Sequence, residues 1–293
     1  MRYKRKLATL IACLIAVGCA ALMPAQARAT TCDASTVAGS YGVRLNSFFA
    51  PSTPQGFLPI SSFTPGVFAG RIVFDGTSSV SGFLAGNSGG VPESPTTFTG
   101  TYAVNSDCTG TLTRVLPDGK VREYEITIVQ SGADIEFANT SASPLQIVGE
   151  GVAKRTPVTC DATTIAGSYG FRFNLFFTTA PTQPKTFLHL SAFEAGALTG
   201  RIVFDSTTNP PSISGFRAGN TGGRPVSSTF SGTYSVNSDC TGTVNQVFVD
   251  QVRQHAIAIV RDGDEIEFTN TTVSPRQPGP IFEIVGGGVA KKR

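Results

Sequence analysis

Gly100-Thr101-Tyr102-Ala103-Val104-Asn105-Ser106-Asp107-Cys108-Thr109-Gly110-Thr111 returns, 132 positions later, as Gly232-Thr233-Tyr234-Ser235-Val236-Asn237-Ser238-Asp239-Cys240-Thr241-Gly242-Thr243. One substitution in twelve residues makes the chain a tandem repeat. In both copies an aromatic and a β-branched residue alternate with small residues, which is the period of a strand. Asn-Ser-Asp then breaks the strand, because short polar side chains bond to backbone N–H groups nearby. The stretch therefore predicts strand, turn, strand around a fixed cysteine.

Working outward, each copy opens alike: Cys32-Asp33-Ala34-Ser35-Thr36-Val37-Ala38-Gly39-Ser40-Tyr41-Gly42, and Cys160-Asp161-Ala162-Thr163-Thr164-Ile165-Ala166-Gly167-Ser168-Tyr169-Gly170. Period-two segments predict eight strands in the first repeat. They run over 41–49, 66–75, 79–85, 97–106, 109–116, 122–130, 134–140 and 145–154. The second repeat gives 169–177, 196–205, 212–218, 229–238, 241–249, 253–261, 265–271 and 282–291. Asp75-Gly76, Asp118-Gly119 and Asp262-Gly263-Asp264 are hairpin signals. The loop after each first strand is proline-rich (Pro51, Pro54; Pro181, Pro184), and no segment has a helical period. Short strands joined in sequence by tight turns predict an all-β chain of two eight-stranded antiparallel up-and-down barrels, over 30–155 and 156–293. A β-sandwich is the alternative for each repeat.

The first 29 residues have the pattern of a secretory signal peptide: Arg2, Lys4, Arg5 and Lys6, an apolar run from Leu7, and a small-x-small site at Ala27-Arg28-Ala29. Ala16-Val17-Gly18-Cys19 also resembles a lipobox, which would anchor an outer-membrane lipoprotein through Cys19. Pro24 breaks the apolar run, which argues against a membrane span. Without these residues, which carry five basic and no acidic side chains, the net charge of +3 becomes −2. No basic stripe remains to hold nucleic acid. Periplasm or extracellular space is the expected location. Cys32, Cys108, Cys160 and Cys240 remain outside the signal, two per repeat at matching places. The repeat pairs Cys32 with Cys108 and Cys160 with Cys240, in a compartment where disulfides persist. A four-thiolate zinc site fails on spacing.

The Gly-Ser-Tyr-Gly opening, the Gly70-Arg71-Ile72-Val73-Phe74-Asp75 strand and the Tyr-x-Val-Asn-x-Asp-Cys-Thr-Gly-Thr motif resemble a group of uncharacterised exported bacterial proteins. That group is similar to the barrel shared by allene oxide cyclase and dirigent proteins, and more loosely to lipocalins. The resemblance implies a closed barrel able to hold a small molecule. It carries no catalytic residue onto this chain. Lipocalins carry Gly-x-Trp on the first strand, whereas this chain has Gly39-Ser40-Tyr41 and no tryptophan.

No residue set points to catalysis, a metal or another cofactor. Pro59 and Tyr124 stand at the positions of His189 and His255 in the first repeat, so neither histidine belongs to a repeated site. Gly-x-Ser-x-Gly and His-Glu-x-x-His are absent. The glycine-rich runs Gly86–Gly90 and Gly219–Gly223 are expected as loops. One constellation stands out. The first strands place Arg44 and Asn46, and Arg172 and Asn174, on one face, opposite an apolar one. Arg71 and Arg201 join them from the second strands, and Glu136 and Glu267 from the seventh. Pointing inward, these eight residues would form a charged ligand pocket. Pointing outward, they form a solvated face. Three functions stay open: a non-catalytic structural or binding module, a carrier of a small apolar ligand, or a barrel isomerase of the cyclase type. An extracellular partner is compatible with the first.

Overall fold

The computed structural model describes residues 31–50, 58–141, 146–178, 188–275 and 283–293. The signal segment, with Cys13 and Cys19, and Pro51, Pro54, Pro181 and Pro184 lie outside these described residues. The first barrel comprises β1 (Gly39–Ala50), β2 (Thr64–Phe74), β3 (Ser79–Ser88), β4 (Val91–Val104), β5 (Thr109–Val115), β6 (Val121–Val129), β7 (Asp134–Asn139) and β8 (Gln146–Arg155). The second comprises β9 (Gly167–Thr178), β10 (Glu194–Asp205), β11 (Ser212–Thr221), β12 (Arg224–Val236), β13 (Thr241–Val247), β14 (Gln251–Val260), β15 (Glu265–Pro275) and β16 (Glu283–Lys292). Within each barrel, each strand pairs antiparallel with the next. β1–β8 and β9–β16 pairing closes the two barrels, so neither sheet has an open edge. Among the described residues, no helix is long and apolar enough to cross a membrane.

One end of each barrel is plugged by the sequence that opens the repeat. Ala34–Val37 forms a 3-10 turn capped by Asp33, whose carboxylate accepts the Thr36 N–H at 3.1 Å. Val37 is fully buried beneath it. The Tyr41 hydroxyl donates to the Gly132 carbonyl at 2.6 Å, and the Tyr102 hydroxyl to the Ala34 carbonyl at 3.3 Å. Phe74 packs edge-on between both tyrosine rings, at 5.6 and 4.9 Å. Gly132 holds a φ of 85°, and a Cβ there would lie 2.2 Å from the Thr36 carbonyl oxygen. Only glycine lets the β6–β7 turn close against the plug. The twelve-residue motif supplies the rest. Asp107 accepts from the Thr109 N–H at 3.1 Å, Cys108 sits at a φ of 67°, and its disulfide to Cys32 ties the plug to the β4–β5 turn. The second barrel repeats the arrangement with Cys160–Cys240, Ile165, Tyr169, Phe204 and Tyr234. Each disulfide closes a separation of 76 or 80 residues. Chain entropy assigns such a loop roughly 4 kcal/mol.

The glycine-rich runs are tighter than the sequence predicts. Gly89-Gly90 and Gly222-Gly223 form two-residue turns, with φ of 55° and 87°, and of 56° and 78°. Positive φ at both central positions matches the twist of the flanking strands. β3 and β4 therefore extend to Ser88 and from Val91, where a loop was expected.

The outer faces of β1–β3 and β14–β16 pack against each other. Gly42 makes this approach possible: a Cβ there would lie 2.6 Å from Val260 Cγ1 and 2.9 Å from Ala258 Cβ. Phe48 and Phe176 meet edge to face at 6.0 Å. At the far end, Gly89 and Phe63 accept backbone hydrogen bonds from Leu188 and Leu190 of the second repeat. Gly170, the repeat partner of Gly42, faces only the flexible end of Arg293, at 3.3 Å. Gly42→Val is therefore expected to destabilise the protein by roughly 1–3 kcal/mol through overpacking. Gly170→Val should cost clearly less, in urea titrations of both variants; equal losses would show that the junction tolerates the added bulk.

Candidate functional site

The eight polar residues singled out on the strands occupy the outer surfaces of the barrels. Tyr41, Val43 and Leu45 take the inward positions of β1, and Arg44 and Asn46 the outward ones. Arg44 reaches across the junction, its Nε donating to Glu267 Oε2 at 2.8 Å, while its Nη1 donates to Asn46 Oδ1 at 3.3 Å. Arg71 donates to the Ser40 hydroxyl at 2.7 Å, and Arg201 to Ser168 at 2.8 Å. Arg172, Asn174 and Glu136 are exposed. Of the eight, the fold brings together Arg44, Asn46 and Glu267. They form part of a clamp between barrels, and none of the eight lines an interior cavity.

The clamp is a buried ionic network. Glu267 has no exposed surface, and it also accepts from Lys154 Nζ at 2.6 Å. Lys154 bonds Glu265 as well, and Arg261 joins Asp134 of β7 at 2.5 Å and Glu265 at 3.4 Å. Burial raises the Glu265 carboxyl, but the Lys154 hydrogen bond and the charges of Lys154, Lys291 and Arg261 outweigh it and hold it below its ordinary value. Burial lowers Lys154, but Glu267 and Glu265 outweigh that and raise it.

The interior of the first barrel is open. A cavity of about 940 Å³ runs into it from the end opposite the plug. Its wall is apolar: Leu45, Phe49, Phe68, Leu84, Phe98 and Ile147. Exposed Asp118 and Lys120, half-buried Glu93 and, from the second repeat, His189 stand on the rim. Three polar side chains enter the wall from β5 and β6. Arg114 and Arg122 are each 7% exposed, and Tyr124 is also 7% exposed. Arg114 donates to the Tyr124 hydroxyl and lies over the Phe98 and Tyr124 rings at 5.1 and 4.9 Å. Its Nε is buried without a partner among the described residues. Arg122 donates to the Val121 carbonyl at 3.0 Å. Burial lowers its pKa, and Arg114 beside it lowers it further against the opposing pull of Tyr124.

The second barrel has the same frame and a filled interior. Where β1 turns Val43, Leu45 and Ser47 inward, β9 turns Phe171, Phe173 and Leu175. Phe173 stacks on Phe268 at 5.4 Å, Phe171 meets Phe230 at 6.3 Å, and Phe248 stands where the first barrel has Leu116. The void lined by Phe171, His255 and Phe268 measures about 20 Å³. His255, on β14, is a core side chain packed on Phe173 and Phe268 at 5.6 and 5.8 Å. Burial, with Arg253 and Arg217 nearby, pushes its pKa down to about 3. Arg217 and Arg253 lie over Phe248 at 3.9 and 5.2 Å.

No protein-family model matches this sequence, and no curated protein is significantly similar to it. Among the described residues, no cluster of histidine, cysteine and carboxylate side chains is arranged to hold a metal ion. The cavity residues Arg114, Arg122 and Tyr124 were not singled out from the sequence. Their signal was parity: Arg122 and Tyr124 share a face with Ile126 and Ile128, both buried.

Two outcomes follow from these placements. Glu267→Gln strands Arg44 without its charge partner and leaves Lys154 only Glu265, and is expected to cost roughly 3–5 kcal/mol. Glu136→Gln, its exposed counterpart, should change the urea midpoint negligibly; similar effects for the two would remove the clamp from the account. For His255, the unfolded chain takes up a proton from about pH 6.5 downward that the folded chain refuses until about 3. The wild type should lose on the order of 1–3 kcal/mol between pH 6.5 and 4.5. His255→Phe should lose less over that window, before Glu265 begins to protonate in the unfolded chain near 4.5.

Proposed function

We propose that this protein is an exported, non-catalytic binding protein whose first barrel takes up a small, largely apolar molecule and whose second barrel is a filled brace. The contrast in interior volume carries this reading: about 940 Å³ against about 20 Å³ in two barrels of one topology. Small-molecule sites run from roughly 300 to 1,000 Å³ and combine apolar walls with a few convergent polar groups. The first cavity has both attributes. Two intact disulfides point to a non-reducing, exported environment. Within it we propose the periplasm or extracellular space, either free or tethered through Cys19. We further propose kinship with the allene oxide cyclase and dirigent barrels, which the closed eight-stranded frame supports. That kinship implies no cyclase activity, because Glu136 lies exposed on the outer face and Glu267 is bound into the clamp.

The test copies the second repeat into the first. Leu45→Phe with Ser47→Leu installs the side chains found at Phe173 and Leu175. The wild type should bind a neutral hydrophobic dye, N-phenylnaphthylamine, at one site per chain. The double variant should lose that binding by at least about tenfold while keeping or raising its melting temperature. Undiminished dye binding in a folded double variant would rule out the first barrel as the site.

A further inference from the structure

Arg114 and Arg122 stand side by side in the wall of an otherwise apolar cup. A buried arginine is ordinarily paired with a carboxylate, because an uncompensated charge out of water costs several kcal/mol. Among the described residues, neither guanidinium lies within 4.0 Å of a carboxylate. Asp118, whose charge acts on Arg122, is exposed and bonded to Lys120 at 2.6 Å. Arg114 instead lowers the tendency of Arg122 to stay charged, and among the described residues Arg114 Nε has no acceptor. In the filled barrel Arg253, the counterpart of Arg122, and Arg217 also lack a carboxylate among the described residues, but their Nε atoms donate to Gln251 at 3.1 Å and Ser228 at 2.8 Å, and the clamp gives its buried cations a carboxylate. Arg44 and Lys154 both meet the fully buried Glu267. In the cup, by contrast, two fork-shaped donors and a tyrosine hydroxyl line cavity space with no carboxylate beside them among the described residues.

We infer that the ligand of the first barrel is an amphiphilic anion. Its apolar body lies against Leu45, Phe68, Leu84 and Phe98. Its single oxyanion head, a carboxylate or a sulfonate, is held between Arg114 and Arg122, with Tyr124 fixing the first guanidinium. Arg–carboxylate pairs of this kind are bidentate and stronger than neutral hydrogen bonds. The inference rests on the binding role proposed above and adds the charge class of the ligand. Gln246 occupies the position of Arg114 in the second barrel, so glutamine is compatible with the frame there.

The experiment measures displacement of N-phenylnaphthylamine from the whole two-barrel protein by dodecanoate, dodecanesulfonate, dodecanol and dodecylammonium. One or both anions should bind at least about tenfold more tightly than dodecanol, and dodecylammonium most weakly. The two anion arms identify the preferred head. Arg114→Gln and Arg122→Gln should each remove the anion preference while leaving dodecanol affinity within about twofold. Both variants should be at least as stable as the wild type without ligand, since each relieves a buried, unpaired charge. An arginine kept only for packing would lower stability and leave the anion preference unchanged. Dodecanol binding as well as the anions would overturn the charge assignment and leave the binding role standing. Binding of neither the dye nor any of the four amphiphiles would overturn both.

Discussion

An eight-stranded barrel has a nearly fixed bore, about wide enough for the side chains that point into it. Everything specific about this chain follows from how it spends that width. Closure satisfies the backbone around both barrels, so the inward positions are free to vary without opening an edge. At the plugged end the bore is filled in both copies by two tyrosines, a phenylalanine and the buried residue of the opening turn. At the other end the copies part. Phenylalanines on β9 pack against Phe268 and Phe230, whereas Leu45 and Ser47 on β1 leave space. A cavity arises here from small inward residues within an unchanged frame.

That division explains what could be read from the sequence. Strand positions, hairpins and both disulfides were legible because local period and turn chemistry encode them. Tyr102 and Val104 alternate, Asp107 caps its own turn, and a cysteine recurs at the same place in each repeat. The extent of β3 and β4 was not, because Gly86–Gly90 looks like a loop until the positive φ values of Gly89 and Gly90 make it a two-residue turn. The cavity was hidden for a different reason. The series Val43, Leu45, Ser47 and its counterpart Phe171, Phe173, Leu175 are both ordinary apolar strand faces. Their difference becomes volume only when both are known to point into bores of the same size.

The arginines show the same limit in electrostatics. Arg44 and Arg172 are equivalent by sequence, yet one is locked against Glu267 and the other is exposed. What separates them is the neighbouring barrel, which no repeat alignment contains. Glu136 and Glu267 divide in the same way. The sequence offered the polar stripe as a pocket or a solvated face; three of its residues, Arg44, Asn46 and Glu267, meet at the junction between the two halves of the chain.

The asymmetry also gives the second barrel a physical role. A barrel with a large open interior has fewer packed side chains across its bore and depends more on its frame than one that is filled. The second barrel lays its β14–β16 face along β1–β3 of the first, and β1 and β3 carry Leu45, Ser47 and Leu84 of the cavity wall. Gly42 allows that contact to be close, and Glu267 anchors Arg44, which sits between the inward Val43 and Leu45. The brace thus acts on strands that line the open interior. Filling one bore and opening the other become complementary, because the packed copy supports the copy that holds the space.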